Sequence, residues 1–313
     1  MSSAHQTTLG AALATFLAAG LAGCSPDAPA MPDAPDAQVA RLARAFTSFD
    51  VPGAIITYAI DINDSGAIVG RFTDSDGMDH GFLRDKTGTI ETIDFPGAVF
   101  TAAAAINNSG DVVGFYALPD APDDRHGYLR RHGRFTTIDP PGSTFTNVLG
   151  INEGGDMTGR YFTDDGGPHG FLFRKGRFTT FDVPGADATN EWKINARGTI
   201  VGQFVDGYGF GHLFTSTWSG TTPIPLPHGY SVDDHNGGIN SRGDLVGTYC
   251  DDASSCGSTL DGHHGFLIRG RTFRTVDIPG ATTTFAFGIN DRGQIVGGYA
   301  DAQGMFHAFL LDP

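Results

Sequence analysis

Short apolar and β-branched runs, separated by turns rich in Gly and Asp, recur along the chain from about residue 46 onward. In the last copy, Thr284 to Asn290 is an apolar run, Asp291 to Gly293 supplies a tight turn, and Gln294 to Tyr299 runs back, which predicts a hairpin. A third strand is predicted at His307 to Leu311, and an earlier copy shows a fourth at Arg177 to Asp182. Four short strands in sequence form a meander typical of a propeller blade.

The dipeptide Ile-Asn marks six copies of this unit, spaced 43 to 50 residues apart. Each Asn is followed three and seven residues later by Gly, and a Pro-Gly pair precedes every copy except the fifth. The asparagines are Asn63, Asn107, Asn152, Asn195, Asn240 and Asn290, and the histidines that open the third strands are His80, His126, His169, His212, His264 and His307. Self-similarity of this length predicts one repeat domain.

The two ends of the repeat region complement each other. The sixth copy stops after its third strand, and an isolated fourth strand, Phe46 to Asp50, precedes the first copy. We therefore predict an all-β fold, a six-bladed β-propeller of four-stranded antiparallel blades, closed by the N-terminal strand (46–50) joining the last blade. The alternative, a β-solenoid, would have no use for this complementarity.

The copies resemble the HAF repeat of bacterial extracellular proteins. His307-Ala308-Phe309 is the literal motif, and His-Gly-Phe or His-Gly-Tyr stands in most other copies. The resemblance covers about residues 46 to 313 and implies an extracellular repeat protein. It implies no catalytic residue, because the family carries no established activity.

The N-terminal segment has the features of an export signal. The first 23 residues carry no charged side chain, and the apolar run from Leu9 to Leu21 is too short to span a bilayer. Leu21-Ala22-Gly23-Cys24 resembles the lipobox of bacterial lipoproteins, which implies lipidation at Cys24; the alternative is an ordinary cleaved signal with an incidental Cys. We predict a signal peptide at 1–23, a Pro/Ala/Asp-rich tether at 24–45 and the propeller at 46–313.

The predicted export signal indicates where the protein is located and whether its cysteines are oxidised. Ser25 is not the Asp that commonly retains lipoproteins at the inner membrane, so we expect an outer-membrane or cell-surface lipoprotein that contacts the membrane through its lipid anchor only. In such an oxidising compartment Cys250 and Cys256, an even pair within one loop, are expected to form a disulfide.

The charge is strongly negative, with 35 acidic against 20 basic residues. A net charge of −15 repels phosphate backbones and argues against nucleic acid as a partner. In a propeller meander, the loops between second and third strands and those linking blades open on one face, which carries most of the Asp residues. We call it the acidic face; the hairpin turns on the opposite side, rich in Arg and Lys, form the basic face.

The recurrent polar residues are best explained as structural. A His in every copy predicts a hydrogen bond near the recurrent Asp50, Asp94, Asp139, Asp182 and Asp277, and those Asp residues are expected to accept hydrogen bonds from the following Pro-Gly turn. Asp74, Asp76 and Asp79 resemble a fragment of a Ca²⁺ loop, although the same spacing also fits a shared hairpin turn. No other cofactor is indicated.

No linear signature of an enzyme is present: the sequence lacks a Gly-x-Ser-x-Gly elbow, a His-Glu-x-x-His motif and a P-loop. We therefore expect a binding or scaffold module at the cell envelope, whose partner is an envelope glycan or protein. The alternative is a carbohydrate-active enzyme on a propeller scaffold. Loop length varies most on the acidic face, so the candidate binding residues are Asp251, Asp252, Asp261, Asp123 and Asp124.

Overall fold

The computed structural model describes residues 46–164, 166–217, 220–227, 231–232, 237–250 and 262–313. It shows an all-β protein with six antiparallel sheets, each a blade of a propeller, which confirms the predicted fold class. The part of the chain that the structure describes has no helix of the length and apolarity needed to cross a bilayer.

Each blade is a meander whose strands follow one another from the centre outward. The first blade contains β2 (Ile56–Ile62), β3 (Ile68–Thr73), β4 (Asp79–Arg84) and β5 (Ile90–Ile93). The second contains β6 (Phe100–Ile106), β7 (Val112–Leu118), β8 (Ala121–Arg131) and β9 (Arg134–Thr137). The third contains β10 (Phe145–Ile151), β11 (Met157–Thr163), β12 (Gly166–Arg174) and β13 (Arg177–Phe181).

The remaining blades follow the same plan with one irregularity. The fourth contains β14 (Ala188–Ile194), β15 (Ile200–Val205), β16 (Gly211–Thr217) and β17 (Gly220–Pro223). In the fifth, β18 (Ser231–Val232) and β19 (Gly238–Ile239) both pair with β20 (Leu245–Cys250), followed by β21 (His263–Arg269) and β22 (Thr272–Val276). This blade is formed by the one copy that departs from the Pro-Gly pattern.

The sixth blade is built from both ends of the repeat region. It contains β23 (Thr283–Ile289), β24 (Ile295–Ala300) and β25 (Phe306–Leu311), and its fourth strand is β1 (Phe46–Phe49). The pairing of β1 with β25 is antiparallel, from Phe46 opposite Leu311 to Phe49 opposite Ala308. The predicted closure by the N-terminal strand is therefore confirmed.

The hydrophobic core lies between blades and is built around one aromatic residue per copy. Phe82, Tyr128, Phe171, Phe214, Phe266 and Phe309, the last residues of the His-Gly-Phe type motifs, are all fully buried. Each lies over the repeat Gly of the second strand: a Cβ added at Gly70 would lie 1.9 Å from the Tyr58 carbonyl oxygen and 2.7 Å from the Phe82 ring. These glycines are thus needed for close packing.

Candidate functional site

The six repeat asparagines form a closed ring around the propeller axis at the basic face. The side-chain amide nitrogen of each Asn donates to the backbone carbonyl of the Asn in the next blade, and Asn290 closes the ring onto Asn63, with N···O distances of 3.0 to 3.4 Å. The Asn63 Oδ1 accepts from the backbone N–H groups of Ser65 and Ala67, which fixes its own turn. The side chains of this ring are therefore occupied by the fold.

The recurrent histidines pair with aspartates on the acidic face. In five blades the Nδ1 atom lies 2.8 to 2.9 Å from a carboxylate oxygen of the Asp after the fourth strand, in the pairs His80–Asp94, His126–Asp139, His169–Asp182, His264–Asp277 and His307–Asp50. His212 binds Asp206 instead, at 2.7 Å. Five of the pairs tie the third and fourth strands of one blade, and the His212–Asp206 pair ties the second and third strands of blade four, so the histidines have a structural role.

The turn that follows these Asp residues is held by a different side chain from the one expected. Asp50 binds His307, while the backbone N–H of Val51 donates to Thr57 Oγ1 at 3.2 Å. The same Thr contact recurs in other blades, for example from Phe95 to Thr101. The expectation that Asp accepts from the turn is corrected here, because the first strand of the next blade presents a hydroxyl to that N–H.

The carboxylates proposed for Ca²⁺ are engaged separately. Asp74 Oδ1 accepts the backbone N–H groups of Asp76 and Met78, and its Oδ2 lies 3.2 Å from His80 Nε2. Asp79 binds Thr73 and lies 3.5 Å from Arg71. Among the described residues, no group of three or more His, Cys, Asp or Glu side chains is arranged to hold a metal ion. The repeated Asp at this hairpin is a turn cap.

Several predicted site residues lie outside the described residues, namely Cys24, Asp251, Asp252, Cys256 and Asp261. Cys250 is buried at the end of β20 and is disulfide-bonded. Its pairing with Cys256 stays a prediction. Asp123 and Asp124 are exposed on β8, directly before Arg125.

Next to these exposed carboxylates, three arginines lie on the acidic face, one in each of blades one, two and three. We call Arg71, Arg125 and Arg160 the arginine cluster. The Arg125 guanidinium carbon lies 5.0, 5.1 and 5.3 Å from the ring centroids of Phe100, Phe115 and Phe145. Phe100 and Phe115 belong to blade two, whereas Phe145 opens blade three. Contacts at these distances are favourable cation–π interactions, so the rings fix the position of the cation.

The two flanking arginines lie on second strands. Arg71 on β3 lies over the Tyr58 ring at 5.5 Å and its side chain is 34 % exposed. Arg160 on β11 donates to Asn190 Oδ1 in the next blade at 3.3 Å. Burial lowers the pKa of Arg125, the positive charges of Arg160 and Arg71 lower it further, and the negative charge of Asp79 partly opposes them. The three cations are thus close enough to repel one another.

Arg125 itself makes no hydrogen bond or ion pair within the described parts of the chain. Three arginines of the basic face do have carboxylate partners: Arg131 pairs with Asp111 at 2.7 Å, and Arg242 and Arg269 both bind Asp244. A partly buried guanidinium with no direct carboxylate contact, next to two like charges, is electrostatically unfavourable in the free protein. It is therefore a candidate anion-binding group.

Sequence reasoning did not identify the arginine cluster. Arg71 and Arg160 occupy second strands, where an isolated Arg has the pattern of an ordinary exposed strand position. One feature of the sequence does distinguish this position. The equivalent residue is Phe115 in the second copy and Gln203 in the fourth, so the blade structure does not require an Arg there.

The sequence matches no protein-family model and no curated protein. Among solved structures, a mutant of AofleA from Arthrobotrys oligospora matches with TM-score 0.53 and 12% identity over 85% of this chain and 87% of its own. Aleuria aurantia lectin, in complex with Fucα1-6GlcNAc, matches with TM-score 0.52 and 10% identity over 84% of this chain and 93% of its own. TolB from Acinetobacter baumannii matches with TM-score 0.49 and 13% identity over 81% of this chain, and the match spans only 54% of that chain. The similarities to AofleA and the Aleuria lectin, at these identities, support the class defined by the fold, a six-bladed β-propeller.

Proposed function

We propose that this protein is an exported, lipid-anchored binding module of the cell envelope, and that the arginine cluster on its acidic face holds an acidic glycan. The observation that carries the proposal is Arg125, which is fixed between three Phe rings and lacks an acceptor among the described residues. An anion that accepts from its N–H groups would remove the electrostatic cost of the cluster.

A saccharide fits this site better than a bare inorganic anion. Phe100, Phe115, Phe145 and Phe162 are only partly buried, and they provide apolar surface beside the guanidinium groups. Such surface packs against the C–H faces of a sugar ring, while Arg binds a carboxylate bidentately. The complex of the Aleuria aurantia lectin shows that a propeller of this kind can carry a sugar.

The surrounding aspartates have a different role in this proposal from the one suggested by the sequence. Asp74, Asp206 and Asp301 cap their own hairpins and bind histidines. The exposed Asp123 and Asp124 lie next to Arg125 and repel anions that do not reach it. Asp123 and Asp124 therefore exclude anions that do not contact the Arg125 guanidinium directly.

Export and anchoring rest on the uncharged leader, the four residues ending at Cys24 and the resemblance to HAF repeats. Intact mass of protein extracted from membranes tests them. A mature chain that begins with an acylated Cys24 is expected. A chain that begins elsewhere, or an unmodified Cys24, contradicts the anchoring.

Calorimetric titration of the purified protein with trigalacturonate tests the glycan proposal, with the fully methyl-esterified trisaccharide as the matched neutral ligand. Binding of the acid form, weakened by salt and lost on esterification, is expected because the carboxylates neutralise the cluster. Equal binding of the two forms, or no binding of either, contradicts the assignment of an acidic ligand.

A further inference from the structure

The residue before Ile-Asn is small in four of the six blades and charged in the other two. Ala105, Gly150, Gly238 and Gly288 occupy it in blades two, three, five and six, whereas blade one has Asp61 and blade four has Lys193. Blades one and four lie opposite each other in a ring of six. Four blades form with a small uncharged residue at this position, so the blade structure does not require Asp61 or Lys193.

Both side chains reach the inner edge of blade two. The first strands of blades one and four have β-bulges directly before Asp61 and Lys193, and a bulge redirects the side chain that follows it. Lys193 Nζ lies 3.6 Å from Asp61 Oδ2 and donates to the carbonyl of Ala104. Asp61 Oδ2 also accepts the backbone N–H of Ile106 at 3.1 Å.

Lys193 is buried, Asp61 is partly buried, and both side chains line a cavity. Lys193 is 5% exposed, and both residues line a space of about 80 Å³ that extends along the axis past the Asn ring. The cavity mouth is at the basic face, where Asn108 and Glu153 are exposed. A small molecule that enters this mouth would meet the Lys193 amine at the inner end.

A buried ion pair contributes little net stability, because desolvation of both charges offsets their attraction. Burial lowers the pKa of Lys193, an effect that Asp61 partly opposes, and burial raises the pKa of Asp61. The lowered pKa of Lys193 favours its neutral amine, and the raised pKa of Asp61 makes its carboxylate a better proton acceptor in the same cavity. Lysines placed in this way are suited to nucleophilic chemistry.

We propose that Lys193 is a covalent site for small neutral aldehydes, which it binds reversibly as an imine with Asp61 as the proton acceptor and donor. Asp61 takes a proton from the ammonium group, and the nitrogen lone pair forms the C–N bond to the carbonyl carbon. The attacking nitrogen passes one of its protons to the former carbonyl oxygen, which gives the neutral carbinolamine. The carbinolamine hydroxyl then accepts the proton held by Asp61 and leaves as water, which yields the protonated imine and the Asp61 carboxylate. One aldehyde is consumed and one water is released, with no oxidant or reductant.

The cavity selects for size and charge. Its volume admits only a molecule of a few heavy atoms. The mouth carries three carboxylates, Asp64, Glu153 and Asp291, which repel an anionic aldehyde. Glycolaldehyde and glyoxylate are therefore a matched pair of neutral and anionic probes.

The test is reductive trapping of the folded protein with glycolaldehyde and cyanoborohydride, followed by peptide mass spectrometry. The chain contains two other lysines, Lys86 and Lys175, both exposed on the basic face, which serve as internal controls. We expect the first adduct at Lys193, its complete loss in Lys193→Met, and little labelling of Lys193 by glyoxylate.

Two results would overturn the proposal without depending on a variant. Labelling of Lys86 and Lys175 while Lys193 reacts only after denaturation would show that the ion pair is purely structural. Equal labelling of Lys193 by glyoxylate and glycolaldehyde would show that the mouth does not select. If Lys193 is labelled in the Asp61→Asn variant at the same rate as in the wild type, Asp61 does not transfer the proton in imine formation.

Discussion

At the residue scale, the repeat keeps those side chains that join strands to one another. Five of the six His–Asp pairs connect third and fourth strands, and His80 and His307 each bind a second carboxylate, Asp74 and Asp301. Burial alone lowers the pKa of these two histidines, but the hydrogen bonds and charges of the flanking aspartates outweigh it and raise the pKa above its usual value.

These shifts predict how stability depends on pH. A histidine with a raised folded pKa stabilises fully below its unfolded value and loses that contribution as the pH rises through the folded value. Hydrogen bonds lower the pKa of Asp74, Asp206 and Asp301, so their contribution is lost as the pH falls through the lower folded values. From these groups, stability should be highest between about pH 4 and about pH 6.5.

Urea unfolding across this range measures the effect. The double variant His80→Asn with His307→Asn should lose part of the decline in unfolding free energy above neutral pH, and His132→Asn, in a turn of the basic face, should not. An unfolding free energy that rises steadily from mildly acidic to mildly alkaline pH would contradict the assignment.

The repeat glycines give a second prediction at this scale. A Cβ at Gly114 would lie 1.9 Å from the Ala102 carbonyl oxygen and 3.0 Å from the Tyr128 ring, so Gly114→Ala should destabilise by about 1–3 kcal/mol or more. Gly207 has nothing within 4 Å and no positive φ, so Gly207→Ala is the matched control. Equal melting temperatures for the two variants would show that the strand glycines are not packing positions.

At the element scale, the strand that decides the architecture is β1. It supplies the outer strand of the sixth blade, and Phe46 packs at 5.5 Å against Tyr299 and at 6.2 Å against Phe309. Without it, β25 would be an exposed edge with unpaired backbone groups.

Removal of β1 should therefore affect the whole domain. A chain that begins at Asp50 should lose cooperative unfolding or aggregate, whereas a chain that begins just before Phe46 should unfold like the full protein. The measurement is thermal unfolding by circular dichroism with light scattering. Identical transitions for both chains would mean that the closure does not hold the ring together.

Local pattern was sufficient to predict the strands, because Ile-Asn, the turn Gly and the His motif are fixed in sequence by what each blade needs. The pairing of two short strands, β18 and β19, with β20 in the fifth blade was not predicted. The fifth copy lacks the Pro-Gly pair, but that absence does not specify how its strands pair. Arg71, Arg125 and Arg160 come from three repeats and become neighbours only when the blades assemble. Asp61 and Lys193 likewise meet across the ring, although their charge in a small-residue position was visible in the sequence.

At the scale of the whole molecule, the two faces differ in how their charges are balanced. The basic face pairs Arg131, Arg242 and Arg269 with buried aspartates, so much of its positive charge is neutralised within the fold. On the acidic face the exposed carboxylates surround a centre of three arginines, one of which has no acceptor in the described structure. The proposal of a ligand at the arginine cluster rests on this imbalance, since functional sites are where a fold departs from local structural preference.

The most direct test compares the affinity for trigalacturonate of two variants that each remove one positive charge. Arg125→Gln removes the unpaired cation of the cluster, and Arg134→Gln removes an exposed cation on the basic face. The account predicts that Arg125→Gln weakens binding by about tenfold or more, a change of about 1.4 kcal/mol, because a charge-assisted contact is lost. Arg134→Gln should leave the affinity unchanged. Equal affinities for both variants and the wild type would contradict a binding site at the arginine cluster.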